Sequence, residues 1–203
     1  MKTIVFIVSA PSGSGKTTLT DELRKNVPGL IFSVSYTTRA ARGSEKNGNE
    51  YFFVSREEFE RMIGEDQFLE HAEVFGNYYG THRGILEEAQ ARGKDLVLDI
   101  DVQGARQLKG TLPEAVGVFV MAPSRKVLEE RLRARGEDRE DVIERRLQDA
   151  AGEIRRYCDY DYVVINRDLE QSDEVLRAIV RAERARRARI EDQIRPIVDS
   201  FRV

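Results

Sequence analysis

Cysteine is almost missing from this chain. Cys158 is the only one in 203 residues, so no disulfide can form within the molecule and a buried core must hold the fold. A lone thiol also fits a reducing compartment. Long apolar runs are missing too. The run Ile4-Val5-Phe6-Ile7-Val8 is too short for a signal-peptide core or a membrane span, and a loop of Ser and Gly follows it at once. The expectation is a cytoplasmic protein without membrane contact. There is no internal repeat and no low-complexity linker. Nor is there an excess of charge of one sign: 33 Lys and Arg stand against 36 Asp and Glu, a net charge of −3. The whole chain therefore has no drive toward nucleic acid or membrane, and local basic clusters carry more meaning than the total.

What is present reads as one α/β domain. Apolar strand candidates are Ile4–Val8, Ile31–Val34, Leu96–Ile100, Val116–Val120 and Tyr162–Ile165. Helical patterns separate most of them, which suggests a parallel sheet covered on both faces. The stretch from about Tyr36 to Arg92 breaks that rhythm with an aromatic strand, Tyr51-Phe52-Phe53-Val54, and a helix from Ser55, where Ser55 and Glu58 form a capping box. It reads as an insertion. From Ser124 to Arg156 the pattern is helical and dense in arginine, with Gly136 as a mobile corner between two helices. Interleaved acids make most of that charge a solvated, salt-bridged face. The tail from Asp168 to Ile194 reads as one long polar helix, with Val175, Leu176, Ile179 and Val180 on the core.

The strongest motif is Ala10-Pro11-Ser12-Gly13-Ser14-Gly15-Lys16-Thr17, between the first apolar run and an amphipathic helix carrying Leu19 and Leu23. Strand, small-residue loop and helix are the context of a phosphate-binding loop. Gly13 and Gly15 let successive N–H groups point at an anion, and the helix N-terminus adds partial positive charge. Lys16 can reach the β- and γ-phosphates, and the Thr17 hydroxyl can ligate Mg²⁺. The pattern begins with glycine and this chain has Ala10, which is harmless unless that position needs φ > 0.

Other residues suggest what the phosphates are used for. Asp99, at the end of an apolar strand, can hold the water shell of Mg²⁺, and Asp99 and Asp101 should emerge at the carboxyl end of the sheet, where α/β ligands bind. Arg39 and Arg42 share a loop and suit one dianionic phosphate, with Tyr51, Tyr78 and Tyr79 as further hydroxyl donors. Glu70, after Phe68-Leu69, can face a cleft and accept from guanine N1–H and its exocyclic amine, a pair that adenine cannot make.

These residues resemble the guanylate kinase family over essentially the whole chain. The resemblance rests on Ser9 to Thr17, Ser33-Val34-Ser35-Tyr36-Thr37-Thr38-Arg39, Asn49-Glu50-Tyr51-Phe52-Phe53, the block from Phe68 to Thr81, Leu98 to Ala105, and Arg133-Ala134-Arg135-Gly136. It implies a P-loop kinase fold with a core of 1–35, 93–123 and 157–203, an inserted GMP-binding segment of 36–92 and a helical lid of 124–156. It implies phosphoryl transfer from ATP, with Mg²⁺, to GMP and dGMP. Ala10, Pro11, Ser12, Gly13, Ser14, Gly15, Lys16, Thr17, Thr18 and Asn166 would hold ATP. Ser35, Arg39, Arg42, Tyr51, Glu70, Tyr79, Thr81 and Asp101 would hold GMP, with Glu70, Asp101 and Ser35 on the base. Lys16, Arg39, Arg135 and Arg146 would serve catalysis, the last two from the lid, and Thr17 and, through water, Asp99 would hold the metal. The chain departs from the family at Ala41 (usually proline), Ser44 (usually glycine) and Arg167 (often an acid). Two rivals are a ribose-bisphosphate kinase on the same scaffold, which has no need of Glu70, and a catalytically inactive interaction module, which typically lacks a working phosphate loop. Monomer and homodimer both stay open.

Overall fold

The computed structural model describes residues 2–74, 76–134 and 139–201. In chain order it contains β1 (Val5–Ser9), α1 (Lys16–Asn26), β2 (Leu30–Phe32), β3 (Tyr36–Thr37), β4 (Phe52–Phe53), α2 (Arg56–Gly64), β5 (Phe68–Val74), β6 (Asn77–His82), α3 (Gly84–Ala91) and β7 (Asp95–Asp99). These are followed by α4 (Val102–Thr111), β8 (Val116–Met121), α5 (Arg125–Ala134), α6 (Glu140–Ile154), a 3₁₀ turn at Arg155–Asp159, β9 (Tyr162–Ile165), α7 (Leu169–Arg184) and α8 (Arg187–Ser200).

Five strands form a parallel sheet in the order β2-β7-β1-β8-β9. The period of two along β1 sends Phe6 and Val8 to one face and Val5 and Ile7 to the other. The first pair meets Leu19 and Leu23 of α1 and Leu176, Ile179 and Val180 of α7. The second pair meets Ala105 and Leu108 of α4 and Ala89 of α3. Burial on both faces explains why these strands read as unbroken apolar runs. The carboxyl ends of β1 and β7, Ser9 and Asp99, open side by side onto the ligand edge of the sheet.

The segment between β2 and α3 builds a second sheet, in the order β4-β3-β6-β5, with β6 antiparallel to β3 and β5. Phe59 and Met62 of α2 pack on Phe68 to form its own small core. Helices α5 and α6 pack through Leu128, Leu132, Ile143, Leu147 and Ala150. The expected corner at Gly136 lies outside the described residues.

Four local expectations need correction. The strand expected over Ile31–Val34 runs Leu30–Phe32, because Val34 and Ser35 lead across to the second sheet. The capping box at α2 is half made. Ser55 Oγ accepts from the Glu58 N–H at 3.1 Å, but the Glu58 carboxylate is taken by Arg61. The long final helix is two helices, since Arg186, between them, is extended (φ −56°, ψ 127°). Buried Glu183 accepts from Tyr162 Oη at 2.7 Å and pairs with Arg186 and Arg189. In a straight helix residue 189 would point well away from 183, at 100° per residue, so the chain must turn to bring the two together. Val175 is exposed, whereas Leu176, Ile179 and Val180 are buried as expected. No helix among the described residues is long and apolar enough to cross a membrane.

Candidate functional site

Between the two sheets lies a cavity of about 320 Å³. Its floor is the loop from Ala10 to Thr17. Ser14 N–H closes a turn on the Pro11 carbonyl at 3.1 Å, and α1 starts at Lys16. Gly13 and Gly15 both sit at φ 89°, left-handed backbone that disfavours any side chain. A methyl group on Gly13 would also meet Leu132 at 2.9 Å. Ala10 is not strained, because Asp66 is the sole non-glycine with positive φ among the described residues. The first turn of α1 has no acidic residue to neutralise its partial positive charge. Ser14 Oγ is buried without a hydrogen-bond partner among the described residues.

Lys16 Nζ is paired with the Asp99 carboxylate. Burial pulls the ammonium down, but Asp99 outweighs it and holds Lys16 above its ordinary value. Thr17 and Asp99 both line the cavity. They are hard oxygen donors, and no cluster of three His, Cys, Asp or Glu among the described residues forms a full cage. That donor set fits a Mg²⁺ ion whose other ligands are phosphates and water.

The opposite wall comes from the second sheet and from α4. Glu70 on β5 is 4% exposed, and Thr81 Oγ on β6 donates to its Oε1 at 2.6 Å. Burial, with Asp101 nearby, pushes the Glu70 carboxyl up to about 7 despite that bond. Asp101 caps α4, accepting the Gly104 N–H at 2.9 Å. Ser35, Arg42, Tyr51, Tyr79, Asp101 and Arg146 line the same cavity. Thr81 lies behind Glu70 and holds it. Arg39 stands just outside the lining, bonded to Glu45 at 2.8 Å with its guanidinium over the Tyr51 ring. Tyr78 does not join this group. Neighbours on a strand face opposite ways, so Tyr79 lines the cavity while Tyr78 stacks on Phe59 and accepts from Arg56 at 3.0 Å.

A second cleft on the other side of the loop is lined by Thr18, Asn166, Arg131 and Leu169, together with Gly13 and Gly15. Asn166 Nδ2 donates to the Ser14 carbonyl, and Arg131 donates to the Asn166 carbonyl, both at 2.9 Å. Arg135, expected on the lid, lies outside the described residues. Among the charged lining residues, two escaped the sequence reading, Arg131 in the second cleft and Glu153 in the cavity. Arg131 was hidden among many arginines. Glu153 lies seven residues after Arg146 on the same face of α6, and burial pushes its carboxyl up to about 7. That i, i+7 spacing was the available signal.

Gly104 shows how closely α4 supports the wall. A methyl group there would collide with Glu70 Oε2 and come within 2.9 Å of its carboxyl carbon. Gly104→Ala should therefore displace Glu70 and weaken the ligand of this end of the cavity about tenfold or more, while ligands of the loop end keep their affinity. Paired calorimetric titrations, one ligand for each end, check the split.

Comparison with known proteins follows the same outline. The guanylate kinase family model matches residues 1–183. The guanylate kinase of Koribacter versatilis (strain Ellin345) is 57% identical, covering 98% of this chain and 88% of its own length. That of Carboxydothermus hydrogenoformans is 49% identical over 93% of each. The crystal structure of guanylate kinase from Anaplasma phagocytophilum superposes with a TM-score of 0.75 at 37% identity, covering 92% of this chain and 89% of that one.

Proposed function

The chain belongs to the guanylate kinase family, and we propose that it transfers the γ-phosphoryl group of ATP to GMP, giving ADP and GDP. The observation that carries this reading is a buried carboxylate, Glu70, in the same cavity as a phosphate loop bearing Lys16. A ribose-bisphosphate kinase has no use for Glu70, and an inactive interaction module has none for Lys16 and Thr17.

In this reading the loop N–H groups cradle the donor phosphates, and Lys16 exchanges Asp99 for the β/γ oxygens. Thr17 and, through water, Asp99 would hold Mg²⁺, which when bound would supply neutralisation of charge on those oxygens. Asn166, Thr18 and Arg131 contact the donor nucleoside in the second cleft. Arg42, Tyr51 and Tyr79 hold the acceptor phosphate, and Arg39 bridges from that side. Glu70, Asp101 and Ser35 read the guanine. An oxygen of the GMP phosphate attacks the γ-phosphorus, the bond from that phosphorus to the β–γ bridging oxygen breaks, and the oxygen leaves with the electron pair as part of ADP. No covalent enzyme intermediate is needed, so the work is alignment and charge neutralisation. Arg146, with Arg135, closes over the transferring group and helps to exclude water. The second sheet with α2, and the helices α5 and α6, are the parts that move.

The raised Glu70 carboxyl gives this site a pH signature. Guanine donors stabilise the ionised form, so below about pH 7 binding must first release a proton. GMP affinity should fall about tenfold from pH 8 to pH 6 as the ionised fraction drops. The second ionisation of the nucleotide phosphate, near 6, adds to this. Glu70→Gln keeps the phosphate contribution and loses the other. The sign for folding is opposite. A raised carboxyl stabilises the nucleotide-free fold fully below about 4.5 and loses that contribution, about 3 kcal/mol, as pH climbs through 7. Melting temperature should thus fall between pH 5 and pH 8, and by less in Glu70→Gln. Calorimetry over that range tests both signs, and an unchanged slope in the variant would remove Glu70 from the account.

A further inference from the structure

The loop that carries Arg39 and Arg42 is held from outside the cavity by one carboxylate. Glu45 Oε1 accepts from Arg39 Nη2 at 2.8 Å, and Glu45 Oε2 accepts from the Arg42 backbone N–H at 2.7 Å. The Glu45 N–H also donates to the Arg42 carbonyl at 2.9 Å. Arg39 Nη1 donates to the Ala40 carbonyl at 2.7 Å. The guanidinium lies 5.3 Å from the Tyr51 ring centre and 5.8 Å from that of Phe53. A guanidinium has five N–H donors; Glu45 and Ala40 take two of them, and Tyr79, which lines the cavity, is a further side-chain partner. Arg42, Tyr51 and Tyr79 line the cavity and Glu45 does not.

We propose that Glu45 is a positioning residue for the acceptor phosphate, clamping Arg39 and the Arg42 backbone so that both guanidinium groups meet a phosphoryl dianion at fixed spacing. The proposal rests on the assignment of this end of the cavity to a nucleoside monophosphate. Ala41 gives the loop none of the stiffness of a proline, and Gly43, at φ 49°, has nothing within 4 Å of the place its side chain would take. The carboxylate supplies the order that local sequence does not. A carboxylate can also act as a rival, occupying Arg39 until a phosphate displaces it. The geometry favours the clamp, because Oε2 is spent on a backbone N–H and the carboxylate stands behind the arginines.

The two roles have opposite signs in one experiment. Glu45→Ala and Glu45→Gln are titrated with GMP and with guanosine by calorimetry, and KM and kcat are measured for both substrates. With the clamp, Glu45→Ala weakens GMP about tenfold or more, leaves guanosine within about twofold and leaves the KM for ATP unchanged. Glu45→Gln falls between, since its amide oxygen still accepts from the Arg42 N–H. GMP affinity that is unchanged or tighter in Glu45→Ala overturns the clamp, and so does equal weakening of GMP and guanosine, which marks a merely structural role. Glu45 is half-buried but belongs to none of the hydrophobic cores, so its loss should leave them intact, and melting curves verify this. Failure of the functional reading looks different: the unaltered chain would then make no GDP, or would bind GMP no better than guanosine.

Discussion

Lys16→Ala should lower kcat on the order of 10³-fold or more, while GMP affinity stays within about threefold. The lysine is the one side-chain cation at the tip of the phosphate loop, at the mouth of α1. Charge that develops between the β- and γ-phosphates has no other fixed side-chain partner on the loop. Preorganised donors of this kind act most strongly in the transition state, so kcat falls further than binding. The acceptor wall is built on different elements, β5, β6 and α4, and has no reason to shift. Asp99 would lose its partner in the variant, but its side chain is about one-third exposed and can be hydrated, so the fold should survive. A coupled assay of ADP release gives kcat, and calorimetry gives the GMP affinity. Unchanged turnover would remove Lys16 from the chemistry, and lost GMP binding would mean that the two halves of the cavity are not separable.

The second large effect concerns the base. Glu70→Gln should lower kcat/KM for GMP by about 10²–10³-fold and leave the KM for ATP within threefold. Thr81 Oγ still has the amide oxygen as acceptor. The amide NH₂ then faces the guanine N1–H and exocyclic amine, so donors oppose donors in a buried pocket. AMP has an acceptor at N1 and should lose nothing, so the ratio of GMP to AMP activity collapses. Equal effects on both nucleotides would show that Glu70 does not read the base. These two substitutions act on opposite walls, and their free energies should add within about 0.5 kcal/mol in the double variant.

The loop and its flanking strand and helix were legible because the pattern is local: two glycines, a lysine and a threonine at fixed spacing, where the helix starts. Glu70 was legible as a carboxylate after two apolar residues in a strand. What could not be read depends on contacts between distant segments. Thr81 was reached only through the family resemblance; from its own neighbours it reads as one more strand residue until β5 and β6 are paired. Tyr78 and Tyr79 look equivalent until one knows which side of β6 faces α2. Glu153 and Arg131 sit in helices so rich in charge that a solvated face and a cavity wall share one pattern. The break after Arg184 follows from the burial of Glu183 under Tyr162, Arg186 and Arg189, and local propensity gives no sign of it.

The second sheet begins at Tyr36 and ends at His82, and those two rings lie 5.7 Å apart. Everything between them is therefore one excursion of the chain that leaves and rejoins the core at nearly the same place, and it meets the core again where His71 of β5 and Gln107 of α4 exchange hydrogen bonds at 3.2 and 2.7 Å. In the proposed reading Tyr51, Glu70 and Tyr79 thus all belong to a unit whose two ends nearly touch. In evolutionary terms such a unit can be exchanged or lost with a short splice, leaving the phosphate loop and its sheet untouched.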